Sequence, residues 1–272
     1  SESIENAKFS QQFLLTEWEQ VVDAWQLESW EEYRDVKRLG RKTRLPEVQR
    51  HLLWSIFEQV RAGLRAEKLI THADMFSRLA THLLSSKHTP FEFTVVDEAQ
   101  DVDVAQLRFL AALGGGRPNS LFFAGDLGQR IFQQAFSWNA LGVNIRGRSR
   151  TLHINYRTSH QIRMQADKLL GPEMSDVDGN TEARRALSVF NGPVPIIKIL
   201  STHEDEIKTV AQWLSGLMNE GIKPHEIGIF VRSDSELARA CHAAKQAGLT
   251  VKVLNEHVET AKRRGRLSDG AL

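Results

Sequence analysis

The stretch Phe91-Glu92-Phe93-Thr94-Val95-Val96-Asp97-Glu98-Ala99-Gln100-Asp101 constrains this chain more than any other. An apolar run that breaks into two adjacent carboxylates is the pattern of a buried parallel strand, here over 93–96, whose carboxyl end delivers acids to a crevice. Such a pair suits chemistry on metals and phosphates. The plainer reading makes Asp97 and Glu98 polar residues that close a strand and cap the next helix, and two adjacent acids taken alone favour it. The residues beyond Asp101 shift the balance.

Residues 102–113 carry an apolar stripe of Val104, Leu107, Leu110 and Ala111 at helical spacing, with Asp101 or Asp103 as the capping residue. Gly114, Gly115 and Gly116 end that helix. A second apolar run over 120–124 predicts a buried strand that leads into Gly125-Asp126-Leu127-Gly128-Gln129-Arg130. Strand, helix and strand with short links form half of a doubly wound α/β unit. That topology places Asp97, Glu98 and Gln129 on one edge of one sheet.

Upstream, the apolar residues from 4 to 86 recur at helical spacing, first Phe9, Phe13, Trp18, Val21, Val22, Trp25 and Trp30, then Leu52, Leu53, Ile56, Phe57, Val60 and Leu64. A further helix is predicted over 73–84. Between the first two sets, residues 33–44 carry six basic side chains beside Trp30 and Tyr33. Cations and aromatic faces in that arrangement suit a nucleic-acid backbone and its bases, and suit a solvated loop equally well. Arg41-Lys42-Thr43 lacks the glycines of a phosphate-binding loop and is not one. Downstream, the pattern predicts a strand over 151–154, a helix over 161–170 and a polar loop over 171–185. A second α/β block comes next, with strands at 194–200, 227–231 and 251–254 and helices at 204–219 and 235–247. Residues 261–272 are basic, without periodicity, and are expected to be disordered.

No apolar run approaches the roughly 20 residues that a membrane helix needs, and the N-terminus lacks a basic-then-apolar signal, so a cytoplasmic protein is expected. A single cysteine, Cys241, excludes an internal disulfide and a cysteine zinc cluster. A formal net charge of +1 leaves nucleic-acid binding open, because basic residues can gather on one face.

Three segments together resemble the UvrD/Rep-type superfamily 1 DNA helicases. Asp97-Glu98-Ala99-Gln100-Asp101 is similar to their Walker B box, or motif II; Gly125-Asp126-Leu127-Gly128-Gln129-Arg130-Ile131-Phe132 to motif III; and Asn155-Tyr156-Arg157-Thr158 to motif IV. The resemblance implies RecA-like parallel sheet portions of the P-loop NTPase type, preceded by an all-helical region. In that layout residues 1–88 are a helical insertion over DNA, 89–150 part of the first RecA-like domain, and 151–260 the start of the second. It further implies ATP and Mg2+ as ligands, with Asp97 on the metal and Glu98 as general base. Gln129 and Arg157 would reach the γ-phosphate, Tyr156 would stack on adenine, and Gln100 and Asp101 would join the nucleotide site to the neighbouring motif. Phe132 and Arg130 would face DNA, with Gln134 standing where the family often has an aromatic residue; Trp138 either takes that DNA-facing place or belongs to the core. The implied partner is single-stranded DNA or a duplex junction, and the implied protein a monomer.

No Gly-x-x-x-x-Gly-Lys-Ser/Thr sequence occurs in the chain, nor do motifs V and VI. The expectation is therefore a portion of a helicase whose isolated chain lacks ATPase activity. A non-catalytic single-stranded DNA-binding or regulatory protein with a helicase-like fold is the alternative.

Overall fold

The polar residues that precede the apolar stripes set where the helices begin. Ser10, Ser29, Thr71, Asp103, Ser159 and Thr202 are not themselves helical, and each accepts a hydrogen bond from a first-turn amide. Ser29 with Glu32, and Asp103 with Gln106, form complete capping boxes. Asp103, not Asp101, thus starts the helix that comes after the acidic motif.

The computed structural model describes residues 9–38, 45–86, 89–126, 129, 136–169, 173–175, 177–179, 181–183 and 186–254. Arg130, Phe132, Gln134, residues 39–44 of the basic loop and the basic tail lie outside the described residues. The chain divides into two compact units, residues 1–195 and 196–272.

In the first unit, α1 (Gln11–Glu17) continues into a π-helical turn (Trp18–Asp23), followed by α2 (Trp30–Asp35), α3 (Glu47–Ala66) and α4 (His72–Ser85). The apolar faces of α1, the π-helical turn, α2 and α3 enclose Val21, Val22, Tyr33, Leu53, Trp54 and Phe57 in one cluster. Tyr33 stacks on Trp54 with ring centroids 5.5 Å apart and meets Phe57 edge-on at 6.0 Å. One charged residue, Glu17, is fully enclosed here. It accepts a 2.7 Å hydrogen bond from the Tyr33 hydroxyl, and Arg38 lies 3.4 Å away, so its charge is partnered as a buried charge must be.

Strand β1 (Thr94–Val96), α5 (Val104–Gly114) and β2 (Leu121–Phe123) then form the strand–helix–strand unit that the sequence predicts. The strands are parallel, with Thr94, Val95 and Val96 opposite Leu121, Phe122 and Phe123. Helix α5 ends at Gly115, whose φ of +58° favours glycine. Val96, Leu121 and Phe123 pack on the cluster of Val102, Val104, Leu107, Phe136 and Val143. The alternate residues do not: Val95 is 73% exposed and Phe122 63%. The expectation of a strand buried on both faces is thus met on one face only, because α5 covers one side of the pair.

The N-terminal helices and this unit share a core, since Ala24 belongs to the same cluster as Leu107. Phe76 of α4 meets Phe109 of α5 at 5.5 Å, and Arg108 donates to the carbonyl of Trp25 at 3.2 Å.

Strand β3 (Ile154–Asn155), α6 (His160–Asp167) and β6 (Leu187–Ser188) come next, with β3 and β6 parallel. The stretch predicted as a loop contains an antiparallel hairpin, β4 (Glu173–Ser175) with β5 (Thr181–Ala183). Its turn includes Gly179 at φ +79°, so local Asp-Gly chemistry closed a hairpin where no apolar alternation announced one.

The second unit contains α7 (His203–Asn219) and α8 (Leu237–Gln246), packed through Leu214, Ala211, Ala243 and Ala244. Arg239 of α8 pairs with Glu206 of α7 at 3.3 Å. Both helices match the sequence reading. The three strands expected around them are not formed among the described residues. A strand exists only against a partner that accepts its hydrogen bonds, and no strand pairing is formed over these segments among the described residues; Ile199 is 98% exposed and Phe230 95%.

Candidate functional site

Both acids of the opening motif stand at the carboxyl end of β1. Immediately after the strand, the Asp97 carboxylate accepts from the Glu98 amide at 2.9 Å, which turns the chain sharply. Glu98 takes up a left-handed conformation, φ +51° and ψ +41°. A residue with a Cβ pays about 1 kcal/mol or more for that conformation, and strain of this kind clusters at functional positions. Here it lifts the Glu98 side chain to the exposed edge of the sheet.

The next residues lock that turn. The Ala99 amide donates to the Ala124 carbonyl at 2.8 Å, and the Ala124 amide to the Val96 carbonyl at 2.8 Å, extending the ladder to the strand ends. Gln100, only 7% exposed, sends its side chain between the two strand ends. Its Nε2 donates to Glu98 Oε2 at 2.6 Å, and its Oε1 accepts from the Asp126 amide at 3.1 Å. Asp126 then accepts from Gln129 Nε2 at 2.9 Å through its carboxylate. A continuous set of hydrogen bonds therefore joins Glu98, Gln100, Asp126 and Gln129, drawn from two strand ends that lie 26 residues apart between Gln100 and Asp126.

Gly125 makes this packing possible. A Cβ on it would stand 2.7 Å from Gln100 Oε1 and 3.1 Å from the amides of Ala99 and Gln100. Sequence reasoning placed Asp97, Glu98 and Gln129 on one edge and, by resemblance, had Gln100 join the site to its neighbour, but missed Gly125 and Asp126 as partners. A glycine and an acid directly after an apolar run were the available signal.

At the end of β3, Asn155 Oδ1 accepts from the amides of Arg157 and Thr158 at 2.9 and 3.0 Å. That turn leaves Tyr156 72% exposed and Arg157 exposed beside it. Among the described residues, no hydrogen bond or ion pair joins either to Asp97, Glu98 or Gln129. Trp138 meets Phe123 edge-on at 4.8 Å and packs on the core cluster. Its amide and that of Asn139 donate to the Asp178 carboxylate at 2.8 and 3.1 Å, and the Ser137 hydroxyl donates to the same carboxylate. No short-range sequence pattern could have announced Asp178, which reaches this turn from a separate loop.

As an oxygen donor, Asp97 fits magnesium, which takes one or two carboxylates and completes its shell with water and phosphate oxygens. Among the described residues no group of three or more His, Cys, Asp or Glu side chains could hold an ion unaided. Nor is any described helix long and apolar enough to cross a membrane.

Comparison with known proteins brings these observations together. The family model of the UvrD/REP helicase N-terminal domain matches residues 2–138, half of this chain. The proteins named ATP-dependent DNA helicase UvrD2 from Mycobacterium bovis and from Mycobacterium tuberculosis are each 26% identical over 212 residues, covering 74% of this chain. The alignment covers 30% of the length of those relatives. With the stretches 97–101 and 125–132 both inside the matched range, and Gln100 hydrogen-bonded to Asp126 between them, this chain belongs to the UvrD/REP helicase family.

Proposed function

We propose that this chain is the portion of an ATP-driven DNA helicase that carries the water-activating carboxylate and the γ-phosphate contact. The observation that carries the reading is the connected edge Glu98–Gln100–Asp126–Gln129 at the carboxyl ends of two parallel strands. Open α/β sheets bind their ligands at that edge. Glu98 orients the attacking water and takes its proton. Gln129 contacts the γ-phosphate, Arg157 pairs with phosphate as a planar guanidinium does, and Tyr156 offers an exposed ring for adenine. Asp97 would hold Mg2+, which neutralises charge on the phosphates.

The DNA side of the reading rests on Arg130, Phe132 and Trp138 after β2, with residues 1–88 leaning over a single strand or a duplex junction. Residues 89–150 then form part of a first RecA-like domain and 151–260 open a second, in a cytoplasmic monomer. Without a Gly-x-x-x-x-Gly-Lys-Ser/Thr loop to cradle phosphates, the 272-residue chain by itself does not turn ATP over.

The test is DNA-stimulated ATP hydrolysis by the full-length protein. Loss of a general base costs roughly 100- to 10,000-fold, so Glu98→Gln should lower kcat by that factor while nucleotide binding is kept. A variant within threefold of the parent would remove Glu98 from the chemistry. Turnover by the 272-residue chain that Glu98→Gln abolishes would overturn the statement that this part is inactive alone.

A further inference from the structure

Residues 127–166 carry six arginines and two histidines but no aspartate, glutamate or lysine, an acid-free run of 40 residues in a chain whose net charge is only +1. Arg157 belongs to the turn after β3, and Arg163 pairs with Asp167. Arg146, Arg148 and Arg150 have no assigned part, and all three are exposed. Elsewhere the arginines reach acids, as Arg34 does Asp35, Arg38 does Glu17, Arg78 does Asp74 and Arg239 does Glu206. Among the described residues no ion pair joins Arg146, Arg148 or Arg150 to an acid.

A built turn presents these three side chains. The Arg148 amide donates to the Ile145 carbonyl at 3.0 Å, and Gly147 takes φ +71°, which puts Arg146 at the corner of a tight turn. Asn144 Oδ1 accepts from the Arg146 amide at 3.0 Å and fixes the entry to that turn. The Arg148 guanidinium donates to Asn119 Oδ1, so the turn is pinned to the loop that leads into β2. That loop carries Arg117, exposed as well, whose guanidinium donates to the carbonyls of Gly114 and Phe91 and keeps its full charge. The cations therefore gather at the amino end of β2, whereas Glu98 and Gln129 stand beyond the carboxyl ends of the strands.

We infer that Arg146, Arg148 and Arg150 form a docking surface for the phosphate backbone of duplex DNA, separate from the DNA contacts placed after β2. Two residues span at most roughly 7 Å, so the three arginines lie within about 14 Å of chain. Duplex DNA carries one negative charge per roughly 1.7 Å of its axis and meets all three at once. Guanidinium groups suit phosphate because they bond it in bidentate fashion. The residues between them decide against other occupants. Gly147, Ser149 and Thr151 offer no aromatic ring on which an unpaired base would stack, as single-strand sites do. Nor do they offer the aromatic or apolar anchor on which a protein interface centres.

The experiment is fluorescence anisotropy of the 272-residue chain with a short blunt duplex, and with one of its strands, over a salt series without nucleotide. Arg146→Ala with Arg150→Ala removes two phosphate contacts and leaves Arg148 on Asn119, so the fold is kept. At about 0.9 per contact in the slope of log affinity against log salt, the parent should lose roughly tenfold more duplex affinity than the double variant between 50 and 200 mM salt. Arg146→Lys with Arg150→Lys, which keeps the charges, should restore the parent slope. Lys208→Ala with Arg239→Ala removes two cations that already face acids, and should leave the slope unchanged. No duplex binding by the parent, an unchanged slope in the first double variant, or an equal loss in the Lys208 and Arg239 control would each overturn the inference. So would a loss as large on the single strand, or displacement of duplex by poly-glutamate as effective as by unlabelled duplex at equal charge, which would assign the patch to an acidic protein. No readout involves ATP, so failure here is distinct from failure of the helicase reading, which kcat of the Glu98 variant decides.

Discussion

Replacing Tyr33 by phenylalanine removes a single oxygen from the centre of the helical layer. Tyr33 and Glu17 are both fully buried, and the hydroxyl donates to a carboxylate at 2.7 Å, the length of a charge-assisted bond. The ring keeps its stack on Trp54, its edge contact with Phe57 and the Arg38 guanidinium 4.6 Å above it, so packing changes little. The loss is therefore that of one buried hydrogen bond to a charged group, about 2 kcal/mol, which for a unit of this size lowers the melting midpoint by roughly 4–8 °C. Urea unfolding followed by tryptophan emission reads it, since Trp18, Trp25, Trp30, Trp54 and Trp138 all lie in the first unit. In a double-mutant cycle with Glu17→Gln, the two losses should couple by about 1–2 kcal/mol.

The same residue makes a pH signature. Burial raises the Tyr33 hydroxyl above its ordinary value of 10.0, against the opposing pull of Arg38. The folded state then holds a proton that the unfolded state has released, so stability is intact below about pH 10 and falls as pH rises toward the folded value. Tyr33→Phe should flatten that alkaline limb. A loss below about 0.5 kcal/mol, well under the charged-bond range, with an unchanged alkaline limb would refute the account of this core as organised on a buried Tyr–Glu bond.

Three further outcomes are expected. Burial raises the Asp23 carboxyl above its ordinary range, although Thr71 and Gln26 donate to its Oδ1 at 2.7 and 3.0 Å and act the other way. Its ionised form costs stability above the folded value and nothing below the unfolded 3.8; Asp23→Asn, which keeps an Oδ1, should stabilise the protein at pH 7 and lose that advantage by pH 3 in thermal melts. Asp178→Ala frees the turn at Trp138, and exchange of the Trp138 and Asn139 amides should quicken with a stability loss of about 1 kcal/mol; unaltered exchange would show that the carboxylate is not what holds the turn. Leu107→Ala, at a fully buried position between α5 and the strands, should cost about 2–5 kcal/mol in urea unfolding.

Much of the site was legible because it is local. Val95-Val96-Asp97-Glu98 contains its own strand and its own break, and Asp103 with Gln106 writes the start of α5 within four residues. The same holds for α7 and α8, whose stripes and caps match the predicted spans. The second-unit strands misled because apolar β-branched runs such as 194–200 state a capacity to pair, while pairing depends on a neighbouring edge. The β4–β5 hairpin erred the other way, since turn geometry at Gly179 and six backbone positions formed it without apolar alternation.

The amino-acid order alone determined that two carboxylates would stand at a strand end, and that a glycine and an acid would stand at the next. It did so because strand period, helix caps and turn residues act over a few neighbours. Only the tertiary structure decided that Gln100 would bridge those ends, that Gly125 must leave room for it, and that Asp178 would seize the turn at Trp138. Each of those is a contact between residues distant in sequence, made when parallel pairing of β1 with β2 and folding of a separate loop brought their backbones within hydrogen-bond reach.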